Sequence, residues 1–380
     1  MKEHFNAMLK GNPAVSKPCA GLSGYRPDIL VITQSVSPNF APVLDRLATR
    51  FNILVVYLYP TSPRASWGDL EIRHPYIVLS DSWLNAAKIL VAALRPGAPK
   101  ALVVMGYKGP LRLSALVAFR LRRRPIVSRT DSNAIALTGE PRLKRAARRL
   151  AYRMIFPART RIWTIGQANT SFWESYVGRG NTHLIPYSTP VLPDSLGHPP
   201  SPRKSDPTRM RFLFVGRLTA VKDVGLLIDA FEELTRPEER EWTLAIVGDG
   251  ESAADWTRRA ANDARISFHG AVDHHRLDEH YHQSDVLVLP SRQEAWGLVV
   301  SEALGFGLYA VVSDRVGASE LISDPASGTV FPAGDRTALI AALRRAATQP
   351  MRRPVPPYDP TDDMADDLEK LLAGDDDAYW

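Results

Sequence analysis

Residues 285–304 read DVLVLPSRQEAWGLVVSEAL, and two structural elements meet in them. The run 286–289 is short and wholly apolar and is stopped by Pro290, which is how a strand buried on both faces reads. After a polar loop, Gly297 opens a second apolar run in which Val299, Val300, Ala303 and Leu304 can face a core as parts of a helix. Strand, loop and helix in that order form half of a βαβ unit on a parallel sheet. Two glutamates bracket the glycine: Glu294 in the loop, Glu302 in the second helical turn.

The same rhythm extends in both directions. RFLFVG, TLAIVGDG, RISFHG, YAVVSD and TVFPAG read as further strands, with helices at 223–234, near 251–263, and at 275–282, 297–305, 317–322 and 335–347. Six strands with intervening helices predict a doubly wound domain. In the first half ILVITQ, NILVVYLY, ALVVMGY, PIVSRTDSN, RIWTIG and HLIPYS alternate with amphipathic segments such as APVLDRLATRF and LRLSALVAFRLRR, so a second α/β domain is expected there. Between the halves, 186–207 holds seven prolines and no apolar period, the mark of a linker. The expected organisation is an N-terminal Rossmann-like domain over 1–190, a linker over 191–209 and a C-terminal Rossmann-like domain over 210–349. A closing segment, 350–380, carries a helix crossing back to the first domain. Two such domains facing a central cleft would place ligands at the strand ends.

A length of 380 residues fits two cores better than one. No run approaches the roughly 18 apolar residues of a membrane span. Cys19 is the only cysteine, which excludes an internal disulfide and a cysteine-rich metal site and fits a reducing compartment. A cytoplasmic protein is expected. The net charge of +6 is regional: 120–161 contain thirteen Arg or Lys against Asp131 and Glu140, so the remainder carries −5.

Three strand-end loops of the second half have chemistry in them. In FVGRLTAVKD, 214–223, Gly216, Arg217 and Lys222 stand where a strand gives way to a helix, and two cations five residues apart can converge on a diphosphate beside a helix N-terminus. VGDG, 247–250, places Gly248 and Gly250 where a backbone can approach a ligand closely. In PSRQEAWGLV, 290–299, the amides of Leu298 and Val299 have no intrahelical acceptor and can donate to a phosphate. Glu302, a turn deeper, can accept from a diol such as ribose, and Glu294 would meet whatever lies beyond the phosphates.

GRL…K, VGDG and PS..E..G…SEA, in this order and with these separations, resemble the retaining GT-B-fold glycosyltransferases of family four (glycosyl transferases group 1). The resemblance covers about 210–347, including the Glu294 and Glu302 pair, and reaches the N-terminal half only in rhythm. It implies a GT-B fold and transfer of a sugar from a nucleotide diphosphate sugar with retention of configuration. It further implies that Arg217 and Lys222 hold the diphosphate and neutralise the leaving nucleotide, that Glu302 binds the ribose and Glu294 the transferred sugar. The amides from Gly297 to Val299 would complete the phosphate site, and Gly270 to Val272 would line the base. No cofactor or metal is expected, since cations and a helix N-terminus do the electrostatic work and no DxD follows a strand. A sugar-nucleotide epimerase, a catalytically silent sugar-nucleotide-binding protein and a DNA-modifying glucosyltransferase are the alternatives.

The N-terminal half departs from the family. Its first loop, QSVSPNFAP at 34–42, has no glycine, and SRTDSN stands after the strand PIVS where many members carry a histidine. Asp131 occupies about that place and is a catalytic or acceptor-side candidate, or a helix cap. Tyr107 and Lys108 in MGYKG are further acceptor-side candidates. DHHRLDEHYH, 273–282, puts His275 and Glu279 at i,i+4 spacing, conceivable for a metal but matched by the family's ordinary polar helix. In helix 142–153 Leu143, Ala146, Ala147, Leu150 and Met154 fall on one side and Arg or Lys fill the rest. That pattern suits an anionic membrane surface, here the inner face for a peripheral enzyme with a glycan or lipid-linked acceptor, or else a solvated face. Nucleic acid is disfavoured because aromatic interleaving is sparse.

Overall fold

The computed structural model describes residues 26–59, 72–133, 141–156, 160–188, 206–239, 241–349 and 358–374. Cys19, most of the linker and the acidic run 375–377 lie outside them. In chain order the elements are β1 (Ile29–Thr33), α1 (Ala41–Arg50), β2 (Ile53–Tyr57), β3 (Tyr76–Val78), α2 (Trp83–Leu94), β4 (Ala101–Met105), α3 (Pro110–Leu121), β5 (Ile126–Arg129), α4 (Arg142–Ile155), β6 (Arg161–Thr164), α5 (Gln167–Val177) and β7 (Thr182–Leu184). They continue with β8 (Arg211–Val215), α6 (Val224–Glu232), β9 (Thr243–Val247), α7 (Ala253–Arg259), β10 (Ile266–Gly270), α8 (His274–Gln283), β11 (Val286–Leu289), α9 (Leu298–Gly305), β12 (Tyr309–Ser313), β13 (Gly328–Phe331), α10 (Arg336–Ala347) and α11 (Thr361–Ala373).

The chain divides into two compact units, one of 1–133, 139–188 and 359–380, the other of 134–138 and 189–358. The first holds a seven-stranded sheet of order β3-β2-β1-β4-β5-β6-β7, all parallel. Alternate strand residues feed two cores. Ile29, Val31, Val55 and Val103 pack with α1 and with Met364, Ala365, Leu368 and Leu371 of α11. Leu30, Ile32, Val56 and Val104 pack with α2 and α3 on the other face, where Ile155 of α4 joins them. The α11 helix is also held by a buried carboxylate: Asp367 accepts from Trp163 Nε1 at 2.7 Å and pairs with His183 at 2.9 Å and Arg161 at 3.6 Å.

The second unit holds a six-stranded sheet of order β10-β9-β8-β11-β12-β13, again all parallel. The structure differs from the sequence reading in five elements. β3, α2 and α5 were not anticipated: β3 is a three-residue edge strand, and α2 and α5 lack a sharp apolar period. The helix expected near 251–263 ends at Arg259, because Asn262 and Asp263 turn the chain into β10, the Asp263 carboxylate accepting from the Arg265 amide at 3.0 Å. The helix expected at 317–322 is a short 3₁₀ helix, Gly317–Leu321, with the amides of Ser319 and Ile322 donating three residues back to the Val316 and Ser319 carbonyls. On α4 the apolar side read from the sequence points away from the sheet: Leu143, Leu150 and Met154 are exposed, while Tyr152 is the buried residue.

Candidate functional site

In the second sheet β8 and β11 are neighbours, and the strand order runs outward from them in opposite directions. The loops at their carboxyl ends flank the reversal point, where open α/β sheets bind ligands. Arg217 and Lys222 come from the first loop; Glu294, Gly297 and Glu302 come from the second loop and its helix.

After β8, Ala220–Lys222 form one 3₁₀ turn and Asp223 adopts a left-handed conformation, φ 51°, before α6 begins. This turn folds the Lys222 side chain onto Glu294, with its Nζ ion-paired to Oε2. The two side chains are 15% and 20% exposed, so the pair is partly desolvated yet open to a ligand. Burial, and then the nearby Arg217 charge, push the Lys222 ammonium down to about 8. Arg217 itself is exposed. The sequence reading gave Lys222 and Glu294 separate partners; the structure puts them in contact. Arg292 ties the two loops together: its amide donates to the Val221 carbonyl at 2.8 Å and its guanidinium to Asp223 at 2.8 Å.

Gly297 caps α9 at φ 97°, a left-handed position where a side chain is strained, and an added Cβ would stand 3.1 Å from both Leu289 and Val316. The first-turn amides of Leu298 and Val299 follow it. Glu294 is held through its backbone, donating to the Arg315 carbonyl at 2.9 Å and accepting from Gly317 at 3.1 Å. The 315–318 segment, read from the sequence as the end of one strand and the start of a helix, thus fixes the glutamate loop. Glu302 is buried, 6% exposed, and its Oε2 accepts from the Tyr281 hydroxyl at 2.7 Å. Tyr281 stacks on Phe306, and burial together with the Glu302 charge drives its phenol well above its ordinary range, so it stays a donor. Tyr281 was missed because it sits in the His-rich α8, far from any glycine signal.

The first VGDG glycine also permits a close approach within the protein. A Cβ on Gly248 would lie 1.9 Å from the Gly216 carbonyl oxygen, so the close approach is between two loops of the protein. Backbone bonds lace these loops: Gly216 to Val247, Leu218 to Asp249 and Gly248 to Gly270. Gly270 is the last residue of β10 and Val272 follows it, half-buried, at the same edge.

In the first unit the candidates also lie at strand ends. Tyr107, after β4, packs edge-on against Tyr152 and Phe156, and its hydroxyl is hydrogen-bonded to that of Tyr152. That bond joins the loop after β4 to α4. Lys108 is exposed, and its carbonyl accepts from Arg112 at 3.0 Å. Asp131 stands at the tip of a clamped loop. Buried Asn169 donates to the carbonyls of Thr130 and Ser132 at 3.1 and 2.5 Å and accepts from the Ile165 amide at 3.0 Å. Arg129 donates to the Ile185 and Pro186 carbonyls and lies 4.9 Å over the Tyr187 ring. Asp131 is exposed at the tip, and the protein packed around it desolvates its carboxyl and holds it above the usual carboxylate range. It caps no helix among the described residues.

Among the described residues no group of three or more His, Cys, Asp or Glu could hold a metal ion, and no helix is long and apolar enough to cross a membrane. The His275 side chain lies outside the described residues.

Residues 200–356 match the family described as Glycosyl transferases group 1. Alpha-D-kanosaminyltransferase of Streptomyces kanamyceticus is 32% identical over 145 residues, 37% of each chain. The chain thus spans little more than a third of the curated relatives it matches. Among solved structures, WaaG, a glycosyltransferase involved in lipopolysaccharide biosynthesis, superposes with a TM-score of 0.61 at 17% identity, over 92% of this chain and 96% of that one. Anabaena HepE in complex with UDP and glucose does so with a TM-score of 0.61 at 17% identity, over 91% and 99%. These likenesses establish the GT-B fold.

Proposed function

We propose, from the match of residues 200–356 to the glycosyl transferases group 1 family, that this chain is a glycosyltransferase using a nucleotide diphosphate sugar. The observation that carries the reading is the convergence of Lys222 and Glu294 where the second sheet reverses its strand order. Arg217, Lys222 and the amides of Leu298 and Val299 receive the diphosphate, and Glu302, oriented by Tyr281, receives the ribose. Gly270 and Val272 border the base. Glu294 lies against the phosphate lysine, where the first hydroxyls of the transferred sugar would be. UDP in the HepE structure supports a nucleotide donor for this fold.

In the reaction the bond from the anomeric carbon to the phosphate oxygen breaks and one to an acceptor hydroxyl forms on the same face, with the leaving phosphate taking the acceptor proton. Arg217 and Lys222 stabilise the charge left on the diphosphate, the work a divalent cation does elsewhere, so the reaction is metal-independent. Asp131 orients the acceptor, a glycan or a lipid-linked sugar, and the enzyme works in the cytoplasm.

A thermal-shift panel of UDP, GDP, ADP and dTDP, followed by diphosphate release from the matching sugar nucleotide in EDTA, tests this. One nucleotide should raise Tm and turnover should survive the chelator. Turnover that needs added magnesium or manganese would overturn the metal-independent mechanism, and no stabilisation by any of the four would overturn the donor site.

A further inference from the structure

Between α6 and α7 of the second unit lies a cavity of about 470 Å³, and among the described residues that line it none belongs to the donor site. That volume falls in the range of small-molecule sites, roughly 300–1,000 Å³. One face of each helix supplies its walls. Asp223, Leu226 and Asp229 recur every three residues along α6 and the residue before it, and Trp256 and Arg259 stand three apart on α7. Gly225 lets the second pair sit close against α6: a Cβ there would stand 3.3 Å from both Trp256 Nε1 and Arg259 Nη1. Arg292 also lines the cavity, ion-paired to Asp223 at 2.8 Å, and Arg259 is ion-paired to Asp229. The carboxylates lie deeper than their partners. The Asp223 and Asp229 side chains are 12% and 22% exposed, those of Arg292 and Arg259 63% and 50%.

The lining selects the ligand. Each guanidinium already faces a carboxylate, so the charges balance, and an anionic ligand would meet Asp223 and Asp229 as well as the arginines. A purely apolar ligand would strip water from four charged groups and return no hydrogen bonds. A neutral, hydroxyl-rich ring satisfies every wall. Its C–H face packs on the half-buried indole of Trp256 and on Leu226, while its hydroxyls donate to the carboxylates and accept from the guanidiniums, each of which carries five N–H donors. We propose that this cavity is a binding site for a neutral saccharide, separate from the nucleotide site. Asp223 and Arg292 belong to the loops that carry Lys222 and Glu294, so the saccharide sits beside the tie between those loops. The assignment does not rest on the glycosyl transfer reading, since the two sets of residues are distinct.

The full chain with fluorotryptophan at its eight tryptophan positions tests this by fluorine NMR. The resonance of residue 256 is identified as the one missing from Trp256→Phe. Titrated with glucose, galactose, mannose and maltose up to about 50 mM, it should shift saturably with at least one of them. Asp229→Asn, which keeps the indole in place as a reporter, should weaken that sugar by about tenfold or more, the scale of a lost bond to a charged group, with cooperative thermal unfolding retained. Lys222→Ala, a change in the donor site, should bind the sugar as the parent does. No saturable shift with any of the four sugars would overturn the proposal, and parent-like affinity in Asp229→Asn would overturn the lining assigned to the ligand. A response to inorganic pyrophosphate in place of the neutral sugars would make the cavity an anion site and sink the saccharide assignment. Loss of the shift in Lys222→Ala would place the sugar in the donor site instead.

Discussion

Lys222 and Glu294 are in contact, so a change to either is felt through the other. Burial holds the Lys222 ammonium near 8, so it loses its proton, and its hold on a diphosphate, as pH rises through that value. Nucleotide diphosphate affinity measured by calorimetry between pH 6.5 and 9.5 should fall by up to about tenfold per unit above 8, the limit for one proton. Lys222→Arg, which keeps its charge, should flatten the profile, and a flat profile in the parent would contradict the role. Removing the carboxylate in Glu294→Gln relieves its competition for Lys222, so diphosphate affinity should hold or rise while transfer falls by roughly 10²–10³, the scale of one lost electrostatic partner. Equal loss of both would assign Glu294 to the nucleotide. Tyr281→Phe removes the hydroxyl that donates to the buried Glu302 carboxylate, and should weaken nucleotide binding by about 1.5–3 kcal/mol if Glu302 holds the ribose.

At the scale of elements, the loops of the second sheet depend on contacts between backbones. Gly248→Ala must push against the Gly216 carbonyl and disturb the Arg217 loop, so it should lower Tm and nucleotide affinity together. Intact affinity would show that the loop adjusts. In the first unit, Asp367→Ala strips α11 of the carboxylate shared by Trp163, His183 and Arg161, and a loss of about 3–5 kcal/mol in urea unfolding is expected for breaking such a buried pair. Its hydrogen bonds hold the Asp367 carboxyl below the usual range despite burial. The stability it supplies is therefore present above the ordinary carboxylate range and is lost as pH falls through the depressed value.

These elements show what the sequence could convey. β8, β9, β11 and β12 are apolar runs buried on both sides, and each was readable because burial on two faces demands an unbroken run. The positions of Gly216 after β8, of Gly297 at the start of α9 and of Glu294 in the loop before it were readable because strand-to-helix loops fall in one stretch of sequence. Tyr281, Asn169, Arg292 and the 315–318 segment were not, since each acts across a distance in the chain that no local period reports. The outward face of α4 was legible as a stripe, but the inward role of Tyr152, which packs against Phe156 and Trp173, was hidden by the density of arginine around it.

At the scale of the molecule, the chain combines a six-stranded parallel sheet in its second unit with a first unit whose helices α2 to α4 face solvent with leucine and arginine. The proposed donor site is the pair of loops beside the strand reversal of the second sheet, where Arg217 and Lys222 would bind a nucleotide diphosphate. Calorimetry of the full chain with whichever of UDP, GDP, ADP or dTDP stabilises it, repeated on Arg217→Ala and Lys222→Ala, measures this directly. Each substitution should weaken binding by roughly 10–100-fold, the worth of a charge-assisted contact, with the free protein still unfolding in one cooperative transition. Parent-like affinity in both variants would contradict the claim and move the nucleotide elsewhere.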